Sequence, residues 1–242
     1  LELIDGTDLR AVLLHLRRCG EVLDPVLTSY VAFALGSALD FAHAADEHGE
    51  AMGIIHRDVS PSNVLLSRAG EVKLADFGIA KAINHPGSIQ SRALKGKIPY
   101  MAPEYALGQQ CSTRSDLFSL GVLLYECIAG FRPFDGQHDL QTLDRARQGR
   151  RQSLQNAAPD APVALVAAIE PLLAPNPAER PRDAGAFLEA LSSACPSPLA
   201  RRGLGALVRE VDAQDAVPSA PGLASTRPAL TLRPRKRLPS RV

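Results

Sequence analysis

Within eight positions, residues 56–63 read HRDVSPSN and carry an imidazole, a guanidinium, a carboxylate, two hydroxyls and an amide. Asp58 and Asn63 lie five residues apart, with Pro61 stiffening the chain between them. Thirteen residues beyond Asn63 stands Asp76, in the triplet Asp76-Phe77-Gly78. A carboxylate, a neutral amide oxygen and a second carboxylate suit the transfer of a phosphoryl group to a hydroxyl. That chemistry needs a carboxylate beside the hydroxyl proton, here Asp58, and hard oxygen ligands for Mg²⁺. Asn63 offers such an oxygen without adding charge, and Asp76 offers an anionic one.

The elements around these residues must bring them together. NVLLS (63–67) and EVKLAD (71–76) flank RAG, a pattern that predicts two short strands joined by a turn. Such a hairpin returns Asp76 to the neighbourhood of Asn63. A short helix is expected over Thr7 to Cys19, stopped by Gly20. A longer one is expected from Pro25, capped by Asp24, with Leu27, Val31, Leu35, Leu39 and Ala42 at helical spacing. Residues 114–129 are apolar on nearly every side and end at Gly130, so this helix belongs inside a domain. Amphipathic helical segments follow at about 138–149, 161–173 and 183–194. From 196 to 242 Pro, Ala, Ser and Arg dominate without evident periodicity, which predicts a disordered tail after a domain of residues 1–195.

Composition limits the function. The 242 residues are 45% hydrophobic, enough for one sizeable core. Net charge is +1, but residues 199–242 carry nine Lys/Arg against three Asp/Glu, so the remainder is acidic overall. No global basic field points to nucleic acid, and the basic tail reads as a solvated linker. Cys19, Cys111, Cys127 and Cys195 show neither CxxC spacing nor a disulfide framework, which fits a reducing, cytoplasmic setting. No stretch reads as a membrane span, so a membrane enters only if a longer C-terminal part carries one.

Taken together and in order, the motifs resemble the protein kinase signature, most closely that of eukaryotic-like bacterial serine/threonine kinases. HRDVSPSN is similar to the catalytic loop, DFG to the magnesium loop, and Ala102-Pro103-Glu104 to the end of the activation segment. SDLFSLGVLLYE resembles the long buried helix, whose Asp116 holds the catalytic loop's backbone in the family. Arg180, in NPAERP, matches the ion-pair partner of Glu104. The implied fold is the α+β protein-kinase fold, with a mostly helical C-terminal lobe and a small β-hairpin. The implied function is ATP-dependent phosphoryl transfer to protein Ser/Thr hydroxyls, with ATP and Mg²⁺ as cofactors and a protein as acceptor. LELIDGTDL is similar to the hinge between the lobes. There, backbone groups near Glu2 and Ile4 are expected to meet the adenine, Asp8 the ribose, and Leu65 the underside of the ring. The resemblance gives His56, Asp116 and Arg180 structural roles, and Lys73 is expected to face solvent from its strand.

Two departures stand out. No glycine-rich loop and no VAIK-like strand precede residue 56, so the small lobe of a kinase is missing. Leu1 in place of a starting Met suggests part of a longer kinase; the alternative is a non-catalytic lobe serving as an interaction module. The second departure is an exchange. The family places Lys two residues after the catalytic Asp and Thr before the APE turn; here those positions hold Ser60 and Lys97. Lys97 is therefore expected to reach Asp58 or Ser60 and to act beside the transferring phosphate. Ser88 and Ser91 are expected sites for a phosphate that binds Arg57.

Overall fold

The computed structural model describes residues 3–44, 53–77, 96–194 and 199–215. Its centre is the apolar helix α4 (Thr113–Ala129), in which Leu117, Phe118, Leu120, Val122, Leu123, Leu124, Tyr125 and Cys127 are fully buried. A capping box starts it: the Ser112 side chain accepts from the backbone of Ser115, and the Ser115 hydroxyl returns to the amide of Ser112. Gly130 ends it in the left-handed conformation, φ 78°. With every face covered, α4 is the rigid reference for the domain.

Around it stand α1 (Leu9–Arg18), α2 (Pro25–His43), the short α3 (Pro103–Ala106), α5 (Asp139–Arg147), α6 (Leu154–Ala157), α7 (Val163–Ile169) and α8 (Ala184–Leu191). Asp24 caps α2 as expected, its Oδ1 accepting from Val26 N at 2.8 Å, with Pro25 in the first turn. Contrary to expectation, α2 has the length and apolarity of a membrane span: 19 residues with a mean hydropathy of 1.3 over its best window. In this fold it is a core helix, its Val31, Ala32, Leu35 and Leu39 fully buried against the other helices.

The predicted hairpin is present as β2 (Val64–Ser67) and β3 (Val72–Leu74). A third strand, β1 (Gly6–Asp8), pairs antiparallel with β2 and gives the sheet order β1-β2-β3. This strand takes residues 7 and 8 from the expected helix, because Asp8 serves as the N-cap of α1, its Oδ1 accepting from Ala11 N at 2.8 Å.

One more expectation is corrected. Residues from 196 were read as a disordered tail, yet Ala200–Asp215 form a helix, α9. Its Leu204, Leu207, Val208 and Val211 follow helical spacing and are buried against the domain. Two glycines and six charged residues within the helix hide that pattern in the sequence.

A buried ion pair ties α3 to the rest. Arg180 donates Nη1–H to Glu104 Oε1 and Nη2–H to Glu104 Oε2, each at 2.8 Å. The remaining Arg180 donors go to the carbonyls of Ala174, Arg114 and Pro175, and its guanidinium lies 4.8 Å from the centre of the Phe118 ring. Burial alone raises the Glu104 carboxyl, but hydrogen bonds from Arg180 and Ser115 outweigh it and hold the group below its usual range.

Removing one partner strands a buried charge, so Arg180→Met should cost about 3–5 kcal/mol in urea unfolding. The lowered carboxyl adds stability above its unfolded value of about 4.3, and this is lost as pH falls through the lower folded value. Glu104→Gln should therefore flatten the acid-side loss of stability below about pH 4, read from unfolding curves down to about pH 3.

Candidate active site

The loop of residues 56–63 hangs from one side chain of α4. The carboxylate of Asp116, 1% exposed, accepts from the backbone amide of His56 through Oδ2 and from that of Arg57 through Oδ1, both at 2.8 Å. Its Oδ2 also lies 2.9 Å from Nε2 of His43, at the last turn of α2. Arg57 is held at φ 63°, a left-handed conformation unfavourable for a side chain of its size. The two amide bonds stabilise that conformation.

The loop then fixes itself. His56 Nδ1 accepts from Asp58 N at 3.3 Å and Nε2 donates to Ala75 O at 3.0 Å, the neutral tautomer consistent with both. Its ring packs 4.5 Å from that of Phe77. His56 is thus the packed bridge that sequence reading expected. Pro61–Asn63 make one turn of 3₁₀ helix, and Asn63 donates through Nδ2 to Asp58 O at 2.8 Å. That bond commits the amide nitrogen and turns the amide oxygen the other way.

Asp76 arrives two residues beyond the far strand. Ala75 N donates to Asn63 O at 2.8 Å, so Asn63 and Asp76 sit side by side across the open end of the hairpin. Asp76 is exposed and has φ 59°. An amide oxygen and an exposed carboxylate at one place are hard donors that fit Mg²⁺.

Lys97 crosses to the loop from the other side: its ammonium donates to Asp58 Oδ2 and forms an ion pair with it. Ser60, nearly fully buried, places its hydroxyl 3.2 Å from that of Ser62 rather than on Lys97. The segment holding Lys97 is pinned to α4. Tyr100 O accepts from Ser119 Oγ at 2.8 Å, and the Tyr100 hydroxyl donates to Glu126 Oε2. Burial, reinforced by the Glu126 charge, raises the Tyr100 phenol, so it stays protonated as a donor. A small cleft lined by Arg57, Asp58, Lys97, Tyr100, Met101 and Tyr105 opens beside the pair.

The expected nucleotide contacts are partly placed. Asp8, Leu65 and Lys73 are register partners across β1, β2 and β3, so the three side chains share one face of the sheet. Lys73, half-buried, therefore stands beside Leu65 rather than simply in solvent. Ile4 is half-buried just before β1. Glu2, Ser88 and Ser91 lie outside the described residues. Sequence reasoning missed His43 and the Tyr100–Glu126 bond, because nothing in the local pattern links residues so far apart.

The protein kinase domain model matches residues 1–195. The chain is 41% identical over 156 residues to the tyrosine-protein kinase MasK of Myxococcus xanthus, covering 64% of this chain and 24% of that protein. It is 37% identical over 198 residues to the serine/threonine-protein kinase PknA of Mycobacterium tuberculosis, covering 80% and 42%. A probable serine/threonine-protein kinase of Streptomyces coelicolor is 42% identical over 138 residues, covering 56% and 19%. The chain belongs to the protein kinase family, and it spans less than half the length of these relatives.

Asp116→Ala should leave the buried N–H of His56 and the partly buried N–H of Arg57 unpaired, at about 1–3 kcal/mol for the buried one. Urea unfolding should register that loss, and the Arg57 amide should lose its protection from hydrogen exchange.

Proposed function

We propose that this domain works as the large lobe of an ATP-dependent kinase that phosphorylates Ser or Thr in proteins. The observation that carries the reading is the convergence of Asp58, Lys97, Asn63 and Asp76 at the open end of one hairpin. Asp58 orients the acceptor hydroxyl and takes its proton. The acceptor oxygen forms a bond to the γ-phosphorus, and the bond from phosphorus to the bridging oxygen breaks, leaving the electron pair on ADP. Asn63 and Asp76 would hold Mg²⁺, which would supply charge neutralisation for the transferring phosphate. Ile4, Asp8 and Leu65 serve the nucleotide from the strand side, together with the backbone near Glu2.

Lys97 takes the place of the missing loop lysine. Its ammonium, already on Asp58, is close enough to stabilise negative charge as it builds on the γ-phosphate, while Ser60 supplies the hydroxyl in the exchanged position. The names of PknA and of the Streptomyces relative favour Ser/Thr as acceptor; the name of MasK makes tyrosine the competing outcome.

The test uses a polypeptide that joins a glycine-rich nucleotide lobe to these 242 residues. Phosphoamino-acid analysis of a phosphorylated protein substrate should give phosphoserine or phosphothreonine; phosphotyrosine alone overturns the acceptor assignment. Asp76→Asn should abolish turnover, and Asp58→Asn should lower kcat by about 10³-fold or more with nucleotide binding retained. Near-normal turnover in Asp58→Asn would remove Asp58 from its role.

The exchange has its own test. Lys97→Met should lower kcat more than it raises KM, since the interaction strengthens as charge develops. The double change Ser60→Lys with Lys97→Thr should restore much of the loss. No recovery in a folded double variant would sink the exchange.

A further inference from the structure

Helix α9 lies beyond the 195 residues that match the kinase domain, yet it is built into the domain. Ala200, Leu204, Leu207, Val208 and Val211 are all at most 4% exposed, packed on α1, α2, β1 and β2. Its polar residues address the turn that joins β2 to β3. Arg201 donates to Ala69 O at 3.3 Å and to Glu71 Oε1 at 2.9 Å, and Arg209 donates to Arg68 O. Arg68 answers, its Nε donating to Asp212 Oδ2 at 2.8 Å while its backbone amide donates to Asp5 O at 2.8 Å, beside β1.

The glycines show how close the two elements come. Glycine inside a helix is unfavourable relative to alanine, yet α9 contains Gly203 and Gly205. A Cβ on Gly205 would stand 2.6 Å from Arg68 O and 2.9 Å from Gly70 N, both backbone atoms. From the other side, a Cβ on Gly70 would stand 1.8 Å from Arg201 O, and Gly70 has φ 80°. Helix and turn therefore touch backbone to backbone, with a glycine on each side of the contact. A loosely adhering tail has no need of that.

We propose that α9 is a positioning element of the catalytic unit: it clamps the turn end of the β2–β3 hairpin, whose open end carries Asn63 and Asp76. The strands are only four and three residues long, and a hairpin of that size is not stable by itself. With β1 along one edge of β2 and α9 across the turn, the hairpin is fixed at the end opposite the metal ligands. Its functional consequence rests on the roles proposed above for Asn63 and Asp76, whereas the clamp itself is read by folding.

The two helix glycines supply a test by sign. A Cβ on Gly203 meets only the tip of Leu27, at 3.1 Å, and a flexible side chain can move away. In the full 242-residue chain, Gly203→Ala should leave Tm unchanged or raise it. Gly205→Ala gains the same helix propensity but collides with backbone, and should lower Tm by about 4 °C or more. Amide exchange, followed by mass spectrometry or NMR, should be about tenfold faster or more at Ala75 in Gly205→Ala and unchanged in Gly203→Ala. A Gly205→Ala protein as stable as Gly203→Ala overturns the docking. A lowered Tm with unaltered exchange at Ala75 overturns the positioning role. Neither result depends on phosphoryl transfer, so failure of the kinase reading would be seen separately.

Discussion

The site depends on one buried carboxylate, that of Asp116. Asp116 places its charge at the end of two backbone N–H groups, in a loop where Arg57 adopts a left-handed conformation. Such a conformation costs about 1–3 kcal/mol for a residue other than glycine. Hydrogen bonds to a charged group return about 1.5–3 kcal/mol each, so two of them outweigh the strain. The acceptor is a carboxylate because one group must serve both amides, and a neutral amide side chain would present an N–H toward one of them. Asp58 follows one residue after the strained position and Asn63 five residues later, so their placement is inherited from this anchor.

The same helix fixes the opposite wall. Ser119 and Glu126 of α4 hold Tyr100, and Ser115 holds Glu104, whose partner Arg180 is itself saturated by backbone carbonyls. Lys97 precedes Tyr100 by three residues, in a 3₁₀ turn whose carbonyl-to-amide bond joins the two. The carboxylate and the ammonium that meet in the cleft are thus both referenced to α4. A helix buried on every face resists tilting, since any movement opens space in close-packed surroundings. This is the physical reason that an apolar helix sets where Asp58 and Lys97 meet.

Much of this was legible in the sequence, where residue type and local spacing carry the information. The alternation in NVLLS and EVKLAD gave the hairpin, and the capping aspartate with Pro25 gave the start of α2. The order of HRD, DFG and APE placed Asp58, Asn63, Asp76 and Glu104, and the unusual Ser60 and Lys97 pointed to a contact between segments. What escaped depends on distant surfaces. The strand β1 was hidden because Asp8 reads equally as part of a helix. His43 meets Asp116 across a separation of 73 residues, which no local pattern encodes. Helix α9 was hidden by its glycines, which look like linker composition until the turn at Gly70 is seen against them.

The position of Lys97 also explains why a lysine suits the exchanged arrangement. Its side chain is 31% exposed while that of Asp58 is 7% exposed, so the ammonium stands at the mouth of the cleft with the carboxylate behind it. A pair at that depth is less screened than one on the surface. The ammonium has three donors on one compact centre, so one can remain on Asp58 while others turn toward an anion arriving from outside. A guanidinium would favour a flat bidentate grip on the carboxylate and occupy both of its oxygens. The compact ammonium instead meets Asp58 at Oδ2.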